Sequence, residues 1–482
     1  MKEPYRTIGR GHPGAALVAA LGGLAATLGA LASPGDAGPR PEVAAAIQGA
    51  RIGMNSCAAR GCHGSVDSTD PAHGRVYIKD GAYTTWLNYD PHARAYAVLL
   101  DPRSERIAAQ LKASLGGKPA HQAALCLSCH ATPSDPADPA PTAREGISCE
   151  GCHGPAGGWV EPHLAPSWRA RSASVKAVDG LVDLASPASR AKACVACHVG
   201  DRSQGMDMNH DLIAAGHPRL NFEFASYLEA YPKHWEEKPG VEARGAKAWA
   251  IGQVVTARAV VDLLGARALA SKEGVTRKAP APEAVWPEFS EYECFTCHHG
   301  LASPSPRQGP GHVPGRLAWA TWPATMLPEL ARSFPSEQAG GPPPVDLESA
   351  DSPWQQLRGE MIRPSPDPDR VVELAGRAGT SLDALLKSLE SGGVEPAGSA
   401  SLLARLANER PEPGEGWDRL AQRYLALEAL GRSGRAPGAA IGPEVGAAIV
   451  EAAKALKFSP GYDSPRGSAP LTKPDPPPRP KP

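Results

Sequence analysis

The sequence predicts a mainly α fold, with a loop-rich domain over about residues 50–335 and an α-helical C-terminal region over 345–460. Inside the loop-rich domain, the helical patterns are best at 219–231 and 244–270. Apolar residues at three- and four-residue spacing in DRVVELAGRAGTSLDALLKSLES and GWDRLAQRYLALEAL predict amphipathic helices in the C-terminal region. With 51 glycines and 51 prolines among 482 residues, the connections between helices are expected to be long and irregular.

Both ends of the chain differ in composition from the rest. Residues 1–32 have the layout of a secretory signal peptide, a basic flank followed by an apolar run from Ala15 to Ala32. The run is rich in Ala and Gly, which favours cleavage over the alternative of an uncleaved membrane anchor. Residues 464–482 are Pro-rich with few apolar side chains, which predicts an extended, disordered tail. No segment after the first is apolar enough to span a membrane, so we expect an exported, periplasmic protein.

Cysteine and histidine occur together in a repeated pattern. Four stretches read CLSCH (126–130), CEGCH (149–153), CVACH (194–198) and CFTCH (294–298). This spacing is typical of c-type haem attachment, in which two thiols add to the porphyrin vinyl groups and the adjacent histidine reaches the iron. A fifth stretch, CAARGCH (57–63), has four residues between its cysteines but keeps the histidine at the same offset.

The five motifs use all ten cysteines of the chain. A disulfide framework would have no cysteine left, and a structural zinc site would not place a histidine at the same offset five times. The sequence therefore predicts five covalently bound haem c groups. The covalent attachment residues are Cys57, Cys62, Cys126, Cys129, Cys149, Cys152, Cys194, Cys197, Cys294 and Cys297, and the proximal iron ligands are His63, His130, His153, His198 and His298.

A second axial ligand on each iron would favour electron transfer, whereas an open iron would invite substrate binding. His210 and His217 are seven residues apart in MNHDLIAAGHPRL, a spacing that predicts one side of a short helix. The other distal candidates are His92 after Pro91, His163 after the third motif, and His299, which could only serve a haem other than that of His298. His299 ranks ahead of His73, His121, His234 and His312, while Met54, Met206 and Met208 are better explained as packing residues.

The order CLSCHA, GISCEGCHGPAGGWVEPH, CVACH, MNHDLIAAGHPRL and ECFTCHH resembles the periplasmic multihaem cytochromes c related to the tetrahaem carrier that accepts electrons from hydroxylamine oxidoreductase. The resemblance covers most of 55–330. It implies a mainly helical fold, closely packed haem pairs and mostly bis-histidine irons, with one five-coordinate haem in the tetrahaem carrier. His92 and His163 match distal histidines of that family. The sequence departs from the tetrahaem carrier in having five haem motifs, so neither the pairing of the irons nor the identity of an open haem transfers to it. The longer first motif and the CHH sequence are similar to features of small tetrahaem cytochromes from sulfate reducers, in which the second histidine ligates a neighbouring haem.

The leading functional hypothesis is an electron carrier between periplasmic redox partners rather than an enzyme. One alternative is an oxidoreductase of small nitrogen compounds such as nitrite or hydroxylamine, with an open iron at His63, His130 or His298. Pentahaem nitrite reductases resemble the chain in haem count but use CxxCK at the catalytic haem, a motif absent here. A third reading is a haem subunit of a respiratory complex, in which the C-terminal helices and tail are docking elements.

The charge of the mature protein indicates the kind of partner. The formal net charge is −1, and it becomes −3 without residues 1–32. Ten haem propionates then bring it to about −13, offset by about +5 on ferric irons. Partners are therefore expected to be periplasmic or membrane-bound redox proteins with basic docking surfaces. We do not expect the protein to bind nucleic acid. We expect it to contact the membrane only if the N-terminal segment remains as an anchor.

Overall fold

The computed structural model confirms the mainly α prediction. Its described residues form helices and no strand; two isolated bridges join Asp201 to Met206 and Tyr292 to Trp319. The described residues are 50–66, 80–132, 144–235, 245–272, 285–298, 317–334, 345–392, 394, 396–409, 416–433 and 442–456. The predicted signal segment, the Pro-rich tail and His299 lie outside these residues. Among the described residues, no helix combines the length and the apolar character needed to cross a membrane.

The helices up to residue 235 are short. Of the nine in the described residues, three begin with proline, and at one of these, Pro187, the preceding Ser186 side chain caps the helix by accepting a hydrogen bond from Ser189 N at 3.0 Å. They are α1 Ala82–Tyr89, α2 Pro102–Gln110, α3 Ala124–His130, α4 Cys149–His153, α5 Pro166–Arg169, α6 Ala173–Val178, α7 Pro187–His198, α8 His210–Ala214 and α9 Phe224–Ala230. Single 3-10 turns connect them at Met54–Ser56, Pro91–Arg94, Ala97–Leu100, Ala120–Gln122, Pro162–Leu164 and Arg202–Gln204.

The later helices include the longest in the protein. They are α10 Gly245–Lys272, α11 Cys294–Cys297, α12 Thr321–Ala324, α13 Leu327–Ser333, α14 Pro353–Met361, α15 Pro368–Glu390, α16 Pro396–Asn408, α17 Trp417–Gly431 and α18 Pro443–Ala455, with a 3-10 turn at Phe289–Glu291. The helices predicted from 244–270 and from the two C-terminal stretches are present as α10, α15 and α17. Of the helix predicted over 219–231 only α9 forms, because the Glu223 carboxylate caps the backbone N–H groups of Ala225 and Ser226 and starts the helix there.

Helix α10 lies at the centre of the main core. It is buried on most sides, where even Gln253 and Arg267 are buried. Trp249 and Leu264 are fully buried. It packs against α7, α9 and α17, and most extensively against α15, where Leu382 is fully buried. The C-terminal region therefore shares one hydrophobic core with α10, which lies within the predicted haem domain.

A smaller apolar cluster lies near the N-terminal end of the described chain. It joins α2 and α3 through Ile107 and Leu125, with Leu212 of α8 against them. Among the other helices of residues 50–235, α1, α4, α5, α7 and α9 line a large cavity, and of these α7 and α9 also pack against α10. This part of the chain is arranged around that space.

Candidate haem-binding sites

Four of the five Cys–His motifs fold as a helical turn. The CxxCH segments end α3, α4 and α7, and Cys294–Cys297 forms α11 directly before His298. In a helix, residues separated by three and four positions share a face, so both thiols and the histidine point to the same side. All ten cysteines are free of disulfides.

The first motif forms a tight turn where the other four form a helical turn. Cys62 N and Gly64 N both donate to Ala59 O, at 2.9 and 3.0 Å. A Cβ on Gly64 would lie 2.0 Å from Ala58 O, so a glycine is required for this close approach. The four residues between Cys57 and Cys62 are accommodated by this turn.

Each motif histidine lies opposite one other histidine. The distances between ring centres are 6.3 Å for His63 and His163, 6.3 Å for His130 and His217, 6.3 Å for His153 and His234, 6.1 Å for His198 and His92, and 6.2 Å for His298 and His210. We number these pairs as the first to fifth sites, in the order of their motifs.

The spacing fits a metal ion between the rings. Two imidazoles that bind one iron from opposite sides have ring centres about 6.2 Å apart, because each metal–nitrogen bond is about 2.0 Å long and the nitrogen lies about 1.1 Å from the ring centre. All five pairs have this separation, and each has two thiols beside it. The donor set and its geometry therefore fit haem iron at every motif.

Burial keeps several of these histidines in the neutral form that a metal ligand requires. It lowers the pKa of His153 and of His198 to about 4. Burial also lowers the pKa of each of the following side chains: His63, His130, His217 and His234. At neutral pH these side chains have a lone pair free to bind a metal.

Hydrogen bonds at Nδ1 orient four of the rings. His130 Nδ1 donates to Ala95 O at 2.8 Å, His217 Nδ1 to Pro218 O at 2.9 Å, and His163 Nδ1 to Val160 O. His92 differs, because its Nδ1 lies 2.8 Å from the carboxylate oxygen Oδ1 of Asp90. Donation from Nδ1 fixes the tautomer that leaves Nε2 free for a metal.

Comparison with known families agrees with this chemistry. Residues 59–154 match the family model described as cytochrome c554 and c-prime. This match supports a c-type cytochrome. It thereby supports covalently bound haem c and a part in electron transfer. No curated protein and no solved structure shows a significant match to the chain.

The fold brings four of the predicted distal histidines opposite motif histidines, in an order that sequence spacing does not reveal. His92 follows the first motif but lies at the fourth site, and His163 follows the third motif but lies at the first. His210 and His217 do not share one side of a helix as predicted, since α8 ends at Ala214 and Gly216 turns the chain at φ 109°. They face different motif histidines as a result.

The fifth distal candidate is where sequence reasoning and the structure differ. His299 lies outside the described residues, and His234, ranked below it, lies opposite His153. His234 follows α9 in the sequence YPKHW, and its ring contacts Trp235 at 5.2 Å. The sequence signal for His234 is its position beside aromatic residues, just after a helix, in the motif-rich part of the chain.

Neighbouring sites contact each other through their cysteines. Contact with Cys57 of the first motif, together with burial, raises the pKa of Cys149 of the third. The thiols of Cys129 and Cys197, in the second and fourth motifs, contact each other in the same way. The first and third sites, and the second and fourth, are therefore adjacent.

Glu150, inside the third motif, fixes the chain that leads to the first motif. Its buried carboxylate accepts hydrogen bonds from Gly53 N at 2.9 Å and from Ile52 N at 3.2 Å, and from Ala156 N at 2.7 Å. The Arg51 guanidinium donates to Glu150 O at 2.7 Å. The Glu150 side chain therefore fixes the position of the first motif relative to the third.

The first four sites share one cavity of about 2500 Å³. Ordinary small-molecule pockets are about 300–1,000 Å³, so this space is far larger than one ligand needs. The C-terminal region contributes to its wall through Trp417, Tyr424 and Leu456. The helices after residue 345 therefore cover part of the haem-binding space.

The fifth site lies outside that cavity and is held by a buried ion cluster. Arg267 of α10 donates to Asp207 Oδ1 at 2.7 Å and to Glu291 Oε1 at 2.5 Å. Asp207 lies three residues before His210, and Glu291 three residues before Cys294. Arg267 thus connects the chain segments that carry the two halves of the fifth site.

Proposed function

We propose that this chain is a pentahaem c-type cytochrome that carries electrons between periplasmic redox partners, with two histidines on every iron. The observation that carries the proposal is the set of five separate histidine pairs, each with the spacing of two trans ligands. When bound, haem supplies a one-electron ferric–ferrous couple at each site. Two strong-field imidazoles on each iron favour electron transfer with little rearrangement.

The adjacency of the sites supports transfer along the molecule. Cys57 and Cys149 connect the first site to the third, and Cys129 and Cys197 connect the second to the fourth. The third and fourth sites are close as well, since the charge of Cys152 contributes to the raised pKa of Cys194. The Met206 thioether lies 3.7 Å from Cys197, on the segment that continues to His210 of the fifth site.

The enzymatic alternative needs an iron with an open position. At the sites proposed for it from sequence, His63, His130 and His298, another histidine ring occupies the opposite side. The described geometry therefore favours the carrier over a nitrogen-compound oxidoreductase. The role of a docking subunit receives less support, because the C-terminal helices line the cavity and share the main core.

Two measurements on the purified, haem-loaded protein test this proposal. Intact-mass spectrometry is expected to give five covalent haems, and electron paramagnetic resonance of the oxidised protein is expected to give only low-spin ferric signals. A count of four haems would remove the first motif as an attachment site. A stoichiometric high-spin signal would favour the enzymatic alternative.

The same proposal places the protein in the periplasm, with partners that present basic surfaces to an acidic particle. Fractionation of the native host is expected to recover the haem-containing protein in the periplasmic fraction. Its electron-transfer rate with a basic partner should fall as salt rises, because surface charges are screened over about 8–10 Å at physiological ionic strength.

A further inference from the structure

Asp90 forms an unusual contact with one of the paired histidines. Its carboxylate is 1% exposed, and Oδ1 accepts a hydrogen bond from His92 N at 2.9 Å and from His92 Nδ1 at 2.8 Å. One oxygen atom therefore caps the 3-10 turn Pro91–Arg94 and orients the imidazole. Backbone geometry and ring geometry are fixed by the same group.

This contact differs from those of the other sites. Among the histidines that the structure describes, His92 is the one whose ring nitrogen hydrogen-bonds a carboxylate; His130, His163 and His217 use backbone carbonyls. At the adjacent third site, His234 Nδ1 is buried with no hydrogen-bond partner. The distal rings of two neighbouring sites are therefore polarised very differently.

A buried carboxylate that accepts the Nδ1 proton gives the imidazole anionic character and makes it a stronger electron donor to a metal. Both this donation and the nearby negative charge favour ferric over ferrous iron, which lowers the reduction potential. The Asp90 charge also reaches His234 at the third site, but the His234 ring has no acceptor at Nδ1 and so lacks the donation. The two sites should therefore differ in potential even though both have two histidines.

We propose that Asp90 is a positioning residue that makes the fourth site, His92 with His198, the lowest-potential site of this protein. The inference rests on the bis-histidine carrier proposed above. The Tyr231 ring lies between the distal rings of the two sites, 6.1 Å from His92 and 6.2 Å from His234. An electron that enters the fourth site is thus driven toward the neighbouring third site.

The test is a spectroelectrochemical titration of the full-length, haem-loaded protein and its Asp90→Asn variant. Asn retains an oxygen that can cap the turn at residue 90 but removes the charge. The variant should change the ferric-to-ferrous ratio of the lowest-potential haem by about tenfold at fixed potential, which corresponds to about +59 mV for a one-electron couple. The other four potentials should move much less. The low-spin signal of the fourth site should shift without becoming high-spin.

Asp351→Asn is the matched control, because it removes the same charge from an exposed position in the loop before α14. Equal shifts in the two variants, or no shift in the lowest potential of Asp90→Asn, would overturn the proposal. Asp90→Ser is a second variant that should raise the same potential. If both Asp90 variants lose haem, the proposal is also overturned, since a residue that tunes a formed site is not needed for loading.

Measurements on the wild-type protein distinguish a failure of this proposal from a failure of the proposed carrier function. A high-spin haem or a haem count below five in the unmodified protein contradicts the proposed function. If the protein has five low-spin haems and their reduction potentials do not change in the Asp90 variants, only the inference about this residue is contradicted.

Discussion

His234 lies opposite His153, with 6.3 Å between the two ring centres, at the end of a segment that carries no Cys–His motif. Its ring is buried and its Nδ1 has no hydrogen-bond partner. The position is explained if Nε2 completes the axial coordination of the third site. This relationship gives a direct test of the histidine pairing.

Replacing His234 with alanine should open one of five irons. In the oxidised His234→Ala variant we expect a high-spin signal of about one iron per protein, because the third site then has a single strong-field ligand. His121→Ala is the control: His121 was an equally ranked candidate, but its ring contacts Gln122 rather than another histidine. A high-spin signal from His121→Ala, or none from His234→Ala, would show that the pairing is different.

The case of His234 illustrates how much of the molecule the sequence reveals. The motifs are local, so their positions could be predicted, and the periodicity of α10, α15 and α17 is strong enough to predict those helices. The pairing of His92 with His198 depends on where the chain returns after many irregular turns. Gly216, at φ 109°, redirects His217 away from His210, and seven-residue spacing cannot reveal such a turn. Tertiary geometry, not residue type, decides the partners.

The orientation of the paired rings predicts two classes of low-spin haem. The rings are nearly parallel at the first and fifth sites, with angles of 16° and 19°, and steeply inclined at the second, third and fourth, with angles of 82°, 67° and 89°. Parallel imidazoles split the iron d orbitals more and give rhombic signals, while perpendicular ones give a single signal at large g. Electron paramagnetic resonance should therefore resolve about two rhombic haems and three of the large-g type. Five haems of one type would contradict these ring orientations.

The shared core predicts that α15 stabilises the haem-binding part as well as the C-terminal region. Leu382 of α15 is fully buried in the core around α10, so Leu382→Ala should lower the free energy of unfolding by about 2–5 kcal/mol. The loss of helix content and the shift of the haem Soret band on release of the axial histidines should occur together in urea. Leu269→Ala on α10 is the control, because that side chain is 46% exposed and its loss should change stability by about 0.5 kcal/mol or less. Separate transitions for the two signals would instead indicate an independent C-terminal module.

Arg267 provides the last prediction, at the fifth site. Its guanidinium neutralises two buried carboxylates, Asp207 and Glu291, and also donates to Met208 O at 2.8 Å. Arg267→Met leaves Glu291 buried without its cation and Asp207 with Arg202 alone, which should cost about 3–5 kcal/mol.

Because the segments that Arg267 joins carry His210 and Cys294, the strain should be concentrated at the fifth site. One of the two rhombic signals should shift or convert to high-spin, while the large-g signals persist. Arg258→Met is the matched control on the same helix: Arg258 pairs with the exposed carboxylates of Asp262 and Asp383, so its loss should cost about 1 kcal/mol or less. Equal effects of the two variants, or an Arg267→Met spectrum changed at all sites alike, would mean that the ion cluster supports the whole core and not the fifth site in particular.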